Sequence, residues 1–283
     1  MIGVYVEGVA LLGPGLQGWA ASRAALAGIA AYVPAPTVVP PSPLLPANER
    51  RRTVATVKLA LAVGAEAVEN ARCDATTLAT VFTSSGGDGE TLDNILATLA
   101  SADPQLSPTR FHNSVHNAPA GYWSIATRSR EPSSSLCIHD ASFAGGLLDA
   151  AAQAAVDERM VGLIAYDLPY PEPLHGVRAI GAIFATALIL APRASETSLA
   201  RLDVELGRGA GQATAMADPA LEALRRNVPA ARGLPLLAAL ARQKPATVIL
   251  DHVSGNQLTL ALTPLEQRPD AALRHVAPAL ATP

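Results

Sequence analysis

The feature that most constrains the fold is a strand, a short turn and a helix in the middle of the 283-residue chain. Residues 133–139 are typical of a β-strand, and residues 143–156 are typical of a helix. We name the turn between them, Asp140-Ala141-Ser142, the elbow. The helix is so rich in Ala, Gly and Leu that we expect it to pack closely on several sides. Ser142 is therefore predicted to lie at a helix N-terminus, where backbone N–H groups can stabilise a developing negative charge.

The residues alone leave two interpretations of Ser142 open. Its small neighbours allow the tight turn on which a catalytic nucleophile is held. A serine at the start of a helix is more often only a cap. Asp140 could assist His139, although we expect its carboxylate to accept backbone hydrogen bonds at the turn. Cys137, in an apolar strand, is more typical of a small hydrophobic residue than of a nucleophile.

Strand-like and helical segments alternate along the rest of the chain and predict a single α/β domain with a large sheet. We expect strands at residues 2–12, 78–83, 133–139, 161–166, 179–190, 200–206, 247–251 and 257–262. We expect helices at residues 19–30, 48–71 (capped by Asn48), 90–100, 143–156, 218–227 and 233–242. The proline-rich residues 33–46 are predicted to form a crossing loop, either ordered or mobile. The domain is predicted to span residues 1–265, and the Pro/Ala-rich residues 266–283 are predicted to be a disordered tail.

The composition argues against several classes of partner. A formal net charge of -3 leaves no broad basic field that would hold nucleic acid or an anionic membrane surface. The longest candidate for a membrane span, residues 179–191, is shorter than the about 20 residues that a span requires. Two cysteines are too few for a disulfide framework or a structural zinc site. The N-terminal apolar run has no basic flank, so we expect a cytoplasmic protein, and nothing in the sequence points to a cofactor.

Histidine and asparagine are concentrated in residues 107–127, which we predict to be a functional loop. The segment holds His112, Asn113, His116 and Asn117. These side chains could orient a substrate or supply a general base, or they could only hydrogen-bond within the loop. Two histidines four apart on a helix could also bind a metal, but Pro119 argues against a continuing helix. No Cys, Asp or Glu nearby completes a ligand set, so we expect no metal site.

Five segments follow one another in a specific order: GVALLGPGLQGWAASRAALAG, RRRTVATVKLALAVGAEAVENA, VFTSSGGDGETL, SPTRFHNSVHNAPAGYWSIA and SSSLCIHDASFAGGLLDAA. In this order they resemble the N-terminal half of a β-ketoacyl synthase. Ala141-Ser142 falls where the family has Ala-Cys, and Asn117 and Gly121 fall on a segment that the family ends in Asn, small residues and Gly. The resemblance implies a thiolase-like fold, with a mixed central sheet and helices on both faces.

The resemblance also identifies what is missing. A full ketosynthase has two related halves, and the second supplies two catalytic histidines, the first in a His-Gly-Thr-Gly-Thr type motif. The chain has no such motif, and only HVSGNQLTLALTP resembles the family's last glycine turn and strand. We therefore expect the second half to be cut down to a remnant.

This pattern is similar to chain-length factors of the aryl polyene type, which the family places beside an active ketosynthase. The resemblance implies a heterodimer with a full-length ketosynthase, or self-association, and acyl carrier protein with its acyl chain as further partners. It places the strand before the elbow at the dimer axis, with an interface formed by Ser135, Leu136, Cys137 and Ile138. The predicted substrate-binding residues are Asn117, Asp140 and Phe143. A serine hydroxyl needs an adjacent base to attack a thioester, so we expect no condensation by this chain alone.

Two other functions remain open. One is a serine acyltransferase or thioesterase that uses Ser142 with His116 or His112 as its base. The other is a homodimeric acyl-binding module without catalysis. Only the enzyme requires a histidine nitrogen within hydrogen-bond reach of the Ser142 hydroxyl.

Overall fold

A nine-stranded mixed sheet forms the centre of the structure, a computed structural model that describes residues 1–41, 44–209 and 211–266. Its strands are β1 Ile2–Gly13, β2 Leu16–Gln17, β3 Ala79–Thr83, β4 Ser133–Leu136, β5 Val161–Asp167, β6 Phe184–Ala191, β7 Ala200–Arg208, β8 Ala246–Asp251 and β9 Asn256–Pro264. The order across the sheet is β4-β3-β5-β6-β1-β7-β9-β8, and β2 pairs with β1. β3 is parallel to β4 and β5, and the other pairs are antiparallel. The predicted α/β class with a large mixed sheet is confirmed.

Helices cover both faces of this sheet. They are α1 Trp19–Leu26, α2 Ala47–Arg52, α3 Ala55–Ala71, α4 Gly89–Leu99, α5 Pro108–Asn113, α6 Ala118–Thr127, α7 Ser142–Val156, α8 Leu174–Val177, α9 Pro219–Asn227 and α10 Leu234–Arg242. α1, α7, α9 and α10 contribute to one hydrophobic core, and α3 and α6 contribute to the other. Val9 and Leu11 of β1 enter the first core, whereas Ala10 and Leu12 enter the second. Because both faces are buried, the central strands are continuous apolar runs.

The predicted helix at residues 48–71 is two helices, α2 and α3. The chain is extended at Thr53, where ψ is 139°, and the Thr53 hydroxyl donates to the Arg50 carbonyl oxygen at 2.9 Å. This bond binds a carbonyl at the end of α2, so the first helix ends there. The predicted Asn48 cap is wrong, because α2 begins after Pro46 and α3 after Val54, neither with a side-chain cap.

The predicted loop at residues 107–127 contains two helices, α5 and α6. Pro108 and Pro119 each lie in the first turn of a helix, where a missing N–H breaks no helical hydrogen bond. The expectation that no helix continues through the histidine pair is confirmed, because α5 ends at Asn113 and His112 and His116 do not share a helix. Pro119 itself lies in the first turn of α6, so the second half of the predicted loop is helical.

Three other predicted boundaries move by a few residues. α1 ends before Gly28, which has a φ of 76° and closes the helix. β6 begins at Phe184 rather than at residue 179, because the Gly181 N–H donates to the Asn227 carbonyl oxygen at the end of α9. β4 ends at Leu136, three residues before the predicted end. The predicted tail lies outside the described residues, apart from Glu266.

Candidate functional site

The elbow is built by a short strand, one 3-10 turn and a helix that approaches the sheet closely. The 3-10 turn covers His139–Ala141, and α7 begins at Ser142. Gly146 makes this approach possible, because a Cβ there would lie 2.7 Å from Thr83 Cγ2 and 2.9 Å from Leu163 Cδ1. The turn is strained at His139, whose φ of 49° is rare for a residue with a side chain. The sequence pattern therefore predicted the elbow correctly.

The hydroxyl of Ser142 is buried and bound to the backbone. Only 1% of the residue is exposed. Its Oγ accepts a hydrogen bond from the Ile138 N–H at 2.9 Å and lies 2.8 Å from the His139 carbonyl oxygen. The Ser84 carbonyl oxygen is 3.3 Å away. No hydrogen bond joins this hydroxyl to a histidine ring in the described part of the chain.

The two predicted histidines are not at the Ser142 hydroxyl. His116 Nε2 lies 2.9 Å from the Leu136 carbonyl oxygen, so this ring binds the end of β4. His112 is exposed, and its ring meets Tyr122 edge to face at a centroid distance of 5.9 Å. Asn117 is exposed at the start of α6 and makes no side-chain cap. The structure thus places His116 against the strand before the elbow, and the hydrogen bonds of the Ser142 hydroxyl are made with backbone groups.

Asp140 is held by two arginines rather than by backbone N–H groups, which corrects the expectation from the sequence. Arg178 Nη2 lies 2.8 Å from Oδ1, and Arg232 Nη2 lies 3.0 Å from Oδ2. Burial by itself would raise the pKa of the Asp140 carboxyl. The hydrogen bond from Arg178 and the charges of Arg232, Arg178 and His139 outweigh it and hold the pKa below its usual range. The carboxylate therefore ties the elbow to two distant segments.

A cavity of about 180 Å³ opens beside the elbow. It is lined by Ile138, His139, Asp140, Ala141, Arg232, Asp251, His252 and Val253. Sequence reasoning missed His252, whose ring lies near the first turn of α7 and whose buried Nδ1 has no hydrogen-bond partner among the described residues. Burial lowers the pKa of this imidazole, which favours its neutral form. The sequence signal that could have identified His252 was its position directly before the closing glycine turn.

Phe143 and Cys137 differ in their surroundings. Phe143 is fully buried in the core, and its ring packs so closely on Gly233 that a Cβ there would overlap it. Cys137 is exposed and its Sγ donates to the Ser85 carbonyl oxygen at 3.1 Å. The structure therefore places Phe143 beneath the elbow and Cys137 on the surface beside it.

A buried carboxylate supports the elbow from the sheet side. Asp167, at the end of β5, accepts hydrogen bonds from the Ser84 and Ser85 hydroxyls and from the N–H groups of Ser85 and Ala230, at 2.8–3.1 Å. Burial raises the pKa of the Asp167 carboxyl, and the hydrogen bonds act in the opposite direction. Ser84 in turn approaches the Ser142 hydroxyl through its carbonyl oxygen. The network fixes the backbone on which the elbow rests.

Within the described ranges, no group of three or more His, Cys, Asp or Glu side chains is arranged to hold a metal ion. No helix in the same part of the chain is long and apolar enough to cross a membrane.

Comparison with known proteins gives a consistent match. The family model of the β-ketoacyl synthase N-terminal domain matches residues 19–251. No curated protein matches the chain. A chain of the ketosynthase ApeO in complex with its chain length factor ApeC, from Xenorhabdus doucetiae, superposes with a TM-score of 0.71 and 22% identity, over 92% of this chain and 100% of that one. The ishigamide ketosynthase/chain length factor gives a TM-score of 0.69 and 16% identity, over 94% and 100% of the two chains. A β-ketoacyl synthase from Burkholderia phymatum STM815 gives 0.70 and 10%, also over 94% and 100%. At these identities the structural likeness shows the fold.

Proposed function

The chain belongs to the β-ketoacyl synthase N-terminal domain family, and on this premise we propose that it is a chain-length-factor subunit. In this proposal it pairs with an active β-ketoacyl synthase in the biosynthesis of a polyketide or fatty acyl product of the aryl polyene type. An acyl carrier protein delivers the growing chain, and the two subunits together shape the pocket for it. By itself the chain does not catalyse condensation.

The observation that carries the proposal is the free edge of β4. Within the described residues, β4 pairs only with β3: the Thr80 N–H donates to the Pro132 carbonyl oxygen at 3.0 Å, and the Ser84 N–H to that of Leu136 at 3.2 Å. Backbone groups alternate in direction along a strand, so those of Ser135 face away from β3. A strand edge with unpaired N–H and C=O groups is a template for another strand. This supports β4, followed by Cys137 and Ile138, as the interface.

Exposed apolar side chains on α4 and α5 support a wider interface. Leu92 and Leu96 on α4 are 46% and 52% exposed, and Phe111 on α5 is 62% exposed. α4 and α5 are in contact, and His116 links the end of this helix pair to β4 through its hydrogen bond with Leu136. Large apolar groups grouped on a surface are typical of a protein interface. The partner is therefore expected to cover α4 and α5 as well as the strand edge.

The geometry of Ser142 supports a subunit that does not condense acyl groups alone. An attacking hydroxyl needs a general base within hydrogen-bond reach. The Ser142 hydroxyl is instead occupied by the Ile138 N–H and the His139 carbonyl oxygen. The same geometry disfavours a serine acyltransferase or thioesterase that uses Ser142 with His116 or His112.

A pair of variants at one position tests the pairing. The chain is co-expressed with candidate β-ketoacyl synthase partners, and the mass of the purified complex is measured. Ser135→Pro removes an N–H that faces away from β3, so the fold should be kept while pairing is lost. Ser135→Ala keeps that N–H and should pair normally. The proposed function would be contradicted if the chain purified only as a monomer or homodimer after co-expression with every candidate partner and did not change the activity of any of them.

A further inference from the structure

A second cavity lies between the proline-rich segment and α3, and its volume is about 410 Å³. It shares no lining residue with the cavity beside the elbow. Its walls are aliphatic and are formed by Val39, Pro40, Pro41, Leu45, Leu168 and Ile183. A volume of this size lies in the range of roughly 300–1,000 Å³ that small-molecule sites occupy.

The wall formed by the proline-rich segment is anchored before and after the stretch that lines the cavity. The Gly15 N–H donates to the Ala35 carbonyl oxygen at 2.8 Å, and the Thr37 hydroxyl donates to the Ile183 carbonyl oxygen at 3.1 Å. On the far side, Leu45 is only 2% exposed and belongs to the core under α3. The described part of the cavity wall therefore adjoins that core.

Two cations line the cavity at the protein surface. Arg50 and Lys58 are both exposed, and neither forms an ion pair within the described ranges. The acidic neighbour Glu49 pairs with Arg52 instead. Lys58 also borders an adjoining polar cavity that Asp88 and Glu90 line, so part of its charge is offset there. Of these two cavities Arg50 lines only the aliphatic one, whose described lining holds no carboxylate, so it is the main cation available to an anion.

The walls offer few polar groups to a ligand. Proline has no backbone N–H, and the Thr53 hydroxyl is already used by the Arg50 carbonyl oxygen. None of the described residues that line the cavity is aromatic, so the walls fit an alkyl chain better than a ring. An aliphatic cavity with cations at its mouth fits a molecule with an apolar chain and an anionic end.

We propose that this cavity binds a free fatty carboxylate of medium chain length. Its alkyl chain lies against Leu168, Ile183 and the proline wall, and its carboxylate lies at Arg50 and Lys58. The site shares no lining residue with the cavity beside the elbow, so its binding is measured on the chain without a ketosynthase.

Calorimetric titration of the full chain tests the site with three probes of equal chain length: decanoate, decanol and decyltrimethylammonium. All are used well below the concentrations at which they form micelles. Decanoate should bind at one site per chain. Decanol should bind roughly five- to tenfold more weakly because it lacks the charge, and the cationic probe should bind more weakly still.

Matched variants locate the site. Ala55 lines the cavity and is exposed, so Ala55→Phe should fill it and weaken decanoate binding at least about tenfold. Ala24→Phe, at an exposed position of α1, should have no effect. Arg50→Gln leaves the walls intact and should weaken decanoate roughly threefold while leaving decanol unchanged. Arg51→Gln is the control for the general charge of α2.

Three results would overturn the proposal: no decanoate binding, equal binding of decanoate and decanol, or binding that Ala55→Phe leaves unchanged. An equal effect of the Arg50 and Arg51 variants would overturn the assigned contact with the carboxylate. Each result is independent of the pairing experiment, so a failure here is distinguishable from a failure of the proposed function.

Discussion

Replacing Ser142 with alanine should destabilise the protein without removing any activity. The hydroxyl is 1% exposed and accepts the Ile138 N–H. Alanine leaves that N–H without its acceptor, whereas the His139 carbonyl oxygen still accepts from the backbone N–H of residue 142. A buried donor without an acceptor costs about 1–3 kcal/mol, whereas a carbonyl tolerates the loss better. We therefore expect the free energy of unfolding to fall by about 2 kcal/mol.

Thermal and urea unfolding measure this loss. For a domain of this size each kcal/mol lowers Tm by about 2–4 °C, so Ser142→Ala should melt about 4–8 °C below the wild type. Ser101→Ala is the control, because that exposed hydroxyl only donates to carbonyl oxygens on the surface. Its stability should change by less than about 0.5 kcal/mol.

The same experiment distinguishes a structural hydroxyl from a nucleophile. Incubation of the wild type with an acyl thioester, followed by intact mass measurement, should give no adduct at Ser142. An adduct that disappears in Ser142→Ala, or a Ser142→Ala protein as stable as the wild type, would refute the argument from burial and hydrogen bonding. Ser142→Cys should also fail to condense acyl groups alone.

Three further variants test other parts of the structure. Gly8→Ala should cost about 2–3 kcal/mol in urea unfolding, because its Cβ would overlap the Ala67 carbonyl oxygen of α3; wild-type stability would contradict this close approach of helix and strand. Asp140→Asn should lower Tm at neutral pH, because a carboxyl with a lowered pKa stabilises the fold above its unfolded pKa of about 4. That stabilisation is lost as the pH falls through the folded pKa, so a Tm difference that does not shrink as the pH is lowered below about 4 would be the wrong result. Leu96→Glu should weaken pairing with a ketosynthase at least about tenfold at unchanged Tm. Val156→Glu is the control and should pair normally, because Val156 is 79% exposed and lies on α7. Equal pairing of both variants would show that α4 is not part of the interface.

The sequence by itself determined the elements and their order. Apolar periodicity depends on neighbouring residues, so it predicted the strands of the sheet and the helix that follows the elbow. It also predicted Ser142 as the last residue of the turn, one position before the predicted helix, because the small side chains beside it, Gly146 among them, can be recognised locally; α7 in fact begins at Ser142. Where a local signal had two meanings the prediction failed: residues 118–127 were predicted as part of a loop, but they form α6, because a proline can also start a helix.

Tertiary structure alone decided what surrounds the elbow. Asp140 meets Arg178 and Arg232, which are 38 and 92 residues away along the chain, and no local pattern encodes those pairs. His252 reaches the same cavity from the turn between the last two strands. The partners of the Ser142 hydroxyl were equally unpredictable, because a cap and a nucleophile share the same local sequence and differ only in which atoms the fold brings within 3 Å.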